Sequence, residues 1–335
     1  MRWALPYLII VQIQLVFNQF FYFLCFSSDN FTERNISMSK LKPTIFEGAA
    51  TAIITPFQNG VMDFEAMGKH IDSQIEGGID ALVIAGTTGE ASTLSHEEHC
   101  DVLRYAAEKV AGRVPIIAGT GSNDTAYGIE LSRYACDVGY DALLIVTPYY
   151  NKATPKGLIR NFLATADATT KPIILYNVPS RTGVNIPISV YREVAKHERI
   201  VAVKEASGNL SAIAQLFDEC GDALDVYSGN DDQIVPIMAL GGKGVISVVS
   251  NLLPRETHDL CAACLKGDFK TGTAMQLKYL KLINALFSEV NPVPVKTAAE
   301  LMGICNGELR LPLCEMETAN REKLLGVMRD YGLIK

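Results

Sequence analysis

In the stretch IVAVKEASGN (200–209), four apolar β-formers lead to Lys204 at the position where the next side chain of a buried strand would point inward. Lysine is almost never fully buried without a partner, and burying it unpaired costs several kcal/mol. Either Lys204 pairs with its neighbour Glu205 at a solvated strand end, or its burial serves chemistry. A lysine enclosed by apolar walls has a lowered pKa, and the neutral amine can attack a carbonyl carbon. The resulting iminium draws electrons from the adjacent carbon and allows an enamine to form, which needs an acid–base group nearby. Tyr176, inside the run PIILYNVPSRT (172–182), is a candidate for that group. GTTGE (86–90) reads as a turn from a strand into a helix, where the hydroxyls of Thr87 and Thr88 beside a helix N-terminus suit a carboxylate. The same turn serves equally as an ordinary N-cap, so by itself it is a weak signal.

These side chains need a frame that brings them together. From residue 48 the chain alternates short apolar runs with amphipathic segments of helical spacing. The remaining runs are ATAIITPF (50–57), ALVIAGTTGE (81–90), PIIAGTGSN (115–123), ALLIVTPYYN (142–151), DVYSGND (225–231) and GVISVVSN (244–251). Their spacing is that of a strand plus a crossover helix. GIDALVIAG from Gly78 and GYDALLIVT from Gly139 repeat after 61 residues, two such units. Eight units in series predict a closed (β/α)8 barrel, an α/β fold, with strands and crossovers over residues 48–265. A doubly wound sheet would call for GxGxxG after the first strand, and ITPFQNG offers none. The chain thus divides into a hydrophobic leader (1–37), a barrel domain (38–265) and a C-terminal helical region (266–335), in which NPVPVK (291–296) reads as a break between helices. A barrel carries its active site at the C-terminal strand ends. Those ends hold Thr55, Thr87, Thr88, Tyr149, Tyr150, Tyr176, Arg181, Lys204, Ser228, Asn230 and Ser250.

The net charge of −7 over 335 residues argues against a nucleic-acid or anionic-membrane partner. Cys261 and Cys264 form a lone CxxC with no second pair at zinc spacing, so the eight cysteines read as reduced thiols and no metal site is expected. Residues 3–26 carry no charge and are long enough to span a bilayer. Gln12, Gln14, Asn18 and Gln19 weaken that reading, and Met38 opens a sequence typical of a soluble start. Residues 1–37 are therefore expected to be dispensable, and the protein cytoplasmic.

GTTGE, TPYYN, YNVPSRTG and VKEASG, in this order and spacing, resemble the signature segments of the class I pyruvate-dependent lyase and synthase family that includes N-acetylneuraminate lyase. The resemblance covers about residues 45–335 and is greatest to members that condense pyruvate with L-aspartate 4-semialdehyde in the diaminopimelate route to lysine. It implies that Lys204 forms the imine with pyruvate. Tyr176, Thr87 and Tyr150 would form a proton relay, with Tyr150 supplied by a neighbouring subunit of a homotetramer built as a dimer of dimers. Thr88 would hold the pyruvate carboxylate and Arg181 that of the second substrate, with Gly229 and Ile246 lining the pocket. No cofactor is required. The alternative is a lyase of the same family acting on N-acetylneuraminate or a keto-deoxy sugar acid, but a polyhydroxy substrate would not need Arg181. A catalytically silent barrel used for binding would not need Lys204, Tyr176, Tyr150 and Thr87 together. In lysine-inhibited relatives an effector site corresponds to Ser92, His96, His99, Asn123 and Tyr149. Tyr127 stands where those relatives carry a glutamate, which implies weak or absent inhibition by lysine. His96 and His99 lie in HEEH, which is not the HExxH of a zinc site.

Overall fold

Eight short parallel strands close on themselves: β1 (Gly48–Ala52), β2 (Ala81–Ile84), β3 (Ile116–Gly119), β4 (Ala142–Val146), β5 (Ile173–Asn177), β6 (Ile200–Glu205), β7 (Asp225–Ser228) and β8 (Gly244–Ser247). Each pairs with its successor, and β8 closes on β1 through Gly48↔Gly244 to Thr51↔Ser247. This computed structural model describes residues 42–335, so the expectations placed on residues 1–37 and on Cys25 lie outside the described residues. Helices follow the strands in order: α1 (Phe64–Glu76), α2 (His96–Val110), α3 (Thr125–Asp137), α4 (Pro155–Ala168), α5 (Ile188–Val194), α6 (Leu210–Cys220), α7 (Ile234–Ala239) and α8 (Pro254–Leu265). Asp63, Ser95, Asp124, Thr154 and Asn209 each accept a backbone N–H at the start of the helix they precede. These caps pair donors that the first helical turn cannot satisfy itself.

Strand alternation sorts the side chains into two cores. Leu82, Leu143, Leu175 and Val203 pack outward against the helices. Ala50, Val83, Leu144, Ile174, Ala202 and Ile246 fill the barrel interior. At the N-terminal end of the barrel the Phe46 ring stacks on Tyr227 at 4.3 Å, and the Tyr227 hydroxyl donates to the Phe46 carbonyl at 2.7 Å. β1 stops at Ala52 rather than continuing to Phe57: the Ile53 N–H still reaches the Val83 carbonyl at 3.1 Å, but the Ile54 N–H is taken by Asn251 Oδ1 at 3.1 Å, and Pro56 further on has no N–H for a ladder. Phe57–Gln58 instead form a small antiparallel hairpin with Val61–Met62.

After α8 come α9 (Phe269–Leu286), α10 (Val293–Leu301) and α11 (Thr318–Asp330). They form a third core in which Ile54 and Val249 from the strand ends meet Leu282, Val295, Ala298 and Leu324. NPVPVK is not a break throughout: Val293–Lys296 already belong to α10. Pro294 is accommodated because the first helical turn needs no N–H from it. Cys261 and Cys264 sit one turn apart on α8 as free buried thiols. Among the described residues, no helix is long and apolar enough to cross a membrane.

Candidate active site

Lys204 lies next to the last residue of β6, opposite Tyr176 of β5 in the register. Lys204 is two residues past Ala202 and shares its face, inside the barrel; the register shift at Ile173/Ile174 comes before both. Glu205, one residue on, faces the other way. Its carboxylate accepts from Asn177 Nδ2 (3.0 Å), the Ser207 N–H (2.7 Å) and the Tyr191 hydroxyl (3.3 Å). The Lys204–Glu205 pairing that the sequence left open is therefore not made. Lys204 is 6% exposed, and its Nζ stands 4.4 Å from the centre of the Tyr176 ring. Burial lowers its pKa to about 7, against the field of Asp231 and with help from Arg181. About half the amines are then neutral at pH 7, against on the order of one in a few thousand for an ordinary lysine.

Asp231 was missed in the sequence. It is buried in the turn after β7, and its Oδ2 accepts the N–H groups of Val248 and Val249 at 3.0 and 2.9 Å. Burial raises its carboxyl pKa, and Lys204 partly opposes that shift. The only sequence sign was the first aspartate of GNDD (229–232), which also fits a plain turn.

Tyr176 is buried, and its phenol pKa is raised by desolvation; the charge of Arg181 and a hydrogen bond with Thr87 act in the opposite direction. A cavity of about 280 Å³ opens beside it, lined by Thr87, Tyr176, Val178 and Arg181 and extending to Ser92, His99, Tyr127 and Tyr149. Lys204 borders the Tyr176 ring rather than this cavity's wall. Gly229 lies against the lysine: an added Cβ would come within 3.2 Å of Lys204 Cε and 2.7 Å of Ala206 Cβ. Ile246 is fully buried in the barrel interior. Thus Lys204, Tyr176, Thr87, Arg181, Gly229 and Ile246 gather at one end of the barrel.

GTTGE does not run straight into a helix. Glu90 takes a left-handed conformation (φ 54°), a 3-10 turn covers Ala91–Thr93, and α2 starts only at His96 behind the Ser95–Glu98 capping box. The helix N-terminus is thus already capped and begins eight residues beyond Thr88. What holds the loop is Glu90, fully buried, in an ion pair with the fully buried Lys296 of α10 at 2.6 Å. Lys296 also donates to the Thr55 carbonyl at 2.9 Å, and Glu90 accepts from the Arg310 N–H at 3.1 Å. Thr88 is buried and accepts from Asn291 Nδ2 at 2.9 Å, while Arg181 Nη2 donates to the Asn291 carbonyl at 3.1 Å. Lys296 and Asn291 belong to the NPVPVK segment, which the sequence reading took as a break between helices. The Ser228 hydroxyl donates to the Asn230 carbonyl at 2.7 Å and accepts the Asn230 N–H at 3.2 Å in a local turn.

Tyr150 is placed differently. It lies beyond the end of β4, 91% exposed with φ 69°, and does not line the cavity of its own chain. Of the effector positions, Ser92, His99, Tyr127 and Tyr149 line the cavity. His99 is buried with Nε2 3.0 Å from the Gly119 carbonyl, and burial lowers its pKa to about 4, so it is neutral. His96 packs against Tyr127 with ring centres 5.8 Å apart, 3.8 Å from the Glu130 carboxylate. The Asn123 carbonyl accepts from Asn151 Nδ2 at 2.9 Å. No group of side chains among the described residues is arranged to hold a metal ion.

The sequence model of the dihydrodipicolinate synthetase family matches residues 45–330. A relative from Lachnoclostridium phytofermentans, a 4-hydroxy-tetrahydrodipicolinate synthase, is 54% identical over 292 residues, spanning 87% of this chain and 99% of its own. The crystal structure of dihydrodipicolinate synthase from Aquifex aeolicus superposes with a TM-score of 0.85 at 44% identity, covering 86% of this chain and 99% of that one. That of DHDPS from Cyanidioschyzon merolae with lysine bound gives a TM-score of 0.84 at 36% identity, covering 87% of this chain and 100% of the other.

Proposed function

The chain belongs to the dihydrodipicolinate synthetase family, and from that premise we propose that it is a Schiff-base lyase that makes 4-hydroxy-tetrahydrodipicolinate from pyruvate and L-aspartate 4-semialdehyde. The observation that carries the mechanism is Lys204, buried yet held at a pKa of about 7 against the Tyr176 ring. The neutral Nζ attacks pyruvate C2, water leaves, and an iminium remains on the lysine. Loss of a C3 proton gives the enamine, whose C3 bonds to the aldehyde carbon of the second substrate. The amino group of that substrate then displaces Lys204 from C2, closing the ring and returning the free lysine.

The residue roles are supported by placement. Tyr176 lies beside the nitrogen and is hydrogen-bonded to Thr87, so the phenol accepts and returns the protons of imine formation. Thr88 holds the pyruvate carboxylate, and the guanidinium of Arg181 at the cavity wall receives that of the second substrate. Gly229 leaves space for the lysine to swing, and Ile246 supplies an apolar floor. Tyr150, outside its own chain's cavity and almost fully exposed, completes the relay in a neighbouring subunit. The assembly is accordingly a homo-oligomer, read as a dimer of dimers. Its setting is the cytoplasm, in keeping with the free thiols of the described residues.

Borohydride reduction with pyruvate tests the reaction. The intact protein should gain a stable pyruvate-derived mass on Lys204, and Lys204→Arg, which keeps the charge but cannot form the imine, should gain none. An undiminished adduct in Lys204→Arg would overturn the assignment. A coupled assay with aspartate 4-semialdehyde reads the second half-reaction.

A further inference from the structure

Asn291 lies in the stretch between α9 and α10, two residues before α10 begins, and is 6% exposed. Its Nδ2 donates to Thr88 Oγ1 at 2.9 Å, its backbone carbonyl accepts from Arg181 Nη2 at 3.1 Å, and its Oδ1 is buried with no hydrogen-bond partner. Buried polar atoms are nearly always paired, so an amide that leaves its oxygen empty is not there for its own satisfaction. One residue therefore touches both side chains assigned to substrate carboxylates. Its position is fixed from behind: five residues further on, Lys296 is locked to Glu90, two residues after Thr88. The C-terminal region and the GTTGE loop are joined twice, once by charge and once by this amide.

A threonine hydroxyl has one proton to give and lone pairs to receive. To bind a carboxylate, Thr88 must give that proton to the substrate, and any neighbour that accepted it would compete. We propose that Asn291 is a positioning residue that acts through Thr88: its Nδ2–H occupies a lone pair of Thr88 Oγ1 and leaves the hydroxyl proton free for the carboxylate of pyruvate. The proposal rests on the reading of Thr88 as the pyruvate carboxylate contact. It explains why an amide stands here and not a carboxylate of the same shape. Aspartate has acceptors only, so it would draw the Thr88 proton away and place a negative charge beside an anionic substrate.

Steady-state kinetics of the full chain test this with Asn291→Asp, Asn291→Ala, Thr88→Val and the Asn291→Asp/Thr88→Val double variant. The KM for pyruvate should rise in Asn291→Asp by about ten- to a hundredfold, the worth of one hydrogen bond to a charged group, and by less in Asn291→Ala. kcat should fall by a smaller factor than KM rises. Because every variant keeps the backbone carbonyl, the KM for aspartate 4-semialdehyde should move by less than about threefold. In the Thr88→Val background, Asn291→Asp should lose most of its added effect, since the group it acts through is gone. A pyruvate KM within about twofold of the parent, or the same penalty with and without Thr88, overturns the proposal. If Asn291→Asp shows no native melting transition, Asn291→Ser, which lacks the Nδ2 donor, enters the same cycle with the same criteria. Borohydride trapping on the unaltered protein keeps the two readings apart: no pyruvate adduct there means that the proposed function fails, whereas a normal adduct with an unresponsive Asn291 means that this inference alone fails.

Discussion

Lys204→Met separates the cost of the buried lysine from its use. The folded protein holds Lys204 at a pKa of about 7 instead of 10.5, chiefly by desolvation. One pKa unit corresponds to about 1.4 kcal/mol, so the full penalty is about 5 kcal/mol, of which about 4 is already present at pH 7. The sign follows from the depressed value. Stability attributable to this group is complete above about pH 10.5, where both states are neutral, and is lost as the pH falls toward about 7, because the unfolded chain holds the proton that the barrel rejects. Methionine keeps the length of the side chain and removes the titrating group. Against the gain stand the lost contact with the Tyr176 ring, about 0.5–2 kcal/mol, and the loss of the cation facing Asp231. Burial raises the pKa of that carboxyl and the lysine opposes the rise, so removing the lysine takes back part of the gain.

Lys204→Met should therefore be inactive yet more stable than the parent at pH 7 by about 1–3 kcal/mol, a rise of several degrees in melting temperature. The advantage should shrink steadily toward pH 10. Thermal unfolding of both proteins at about pH 7 and pH 9.5 decides it. A variant that melts at or below the parent at pH 7, or a difference identical at both pH values, would refute the account of Lys204 as a desolvated, strained nucleophile.

Tyr150→Phe should slow turnover by about two to four orders of magnitude, the usual worth of a placed acid–base group. Mixing it with Lys204→Ala should restore some activity through hybrid subunits, whereas full activity in a monomer would contradict a shared site. Lys296→Met, which leaves the buried Glu90 without its ion-pair partner, should destabilise the fold by about 3–5 kcal/mol in thermal or urea unfolding, and Lys296→Met combined with Glu90→Leu should recover much of that loss. Lysine should inhibit the coupled assay weakly, with half-inhibition above about 1 mM, because Tyr127 offers no carboxylate and a charge-assisted contact of about 1.5–3 kcal/mol is missing. Half-inhibition well below that concentration would mean that another carboxylate, such as Glu130 near His96, has taken over the ammonium.

The strands were legible because each is buried on both faces, so it reads as an unbroken apolar run. Their ends were less so: hydrophobicity continues past Ala52 to Phe57, but the Ile54 N–H turns to the Asn251 side chain and ends the pairing, and nothing in apolar content marks that point. Lys204 could be singled out because a charge interrupts an apolar run, and Tyr176 because it ends a neighbouring one. Asn291 could not, since its meaning lies in Thr88, 203 residues away in the chain. An asparagine before a proline reads locally as a turn. Lys296 makes the limit plain. It too closes an apolar stretch, V-P-V-K, and carries the same sign as Lys204 on the page. In the fold, Lys296 is fully buried between the Glu90 carboxylate, the Thr55 carbonyl and the Phe57 ring, its pKa lowered by burial but supported by Glu90. Among the described residues no such ion pair holds Lys204, and only the more distant Asp231 supports its charge. One lysine is a strut; the other is the one we propose as the nucleophile. The difference is made by a carboxylate 206 residues distant in sequence, a pairing made only when α10 packs against the GTTGE loop.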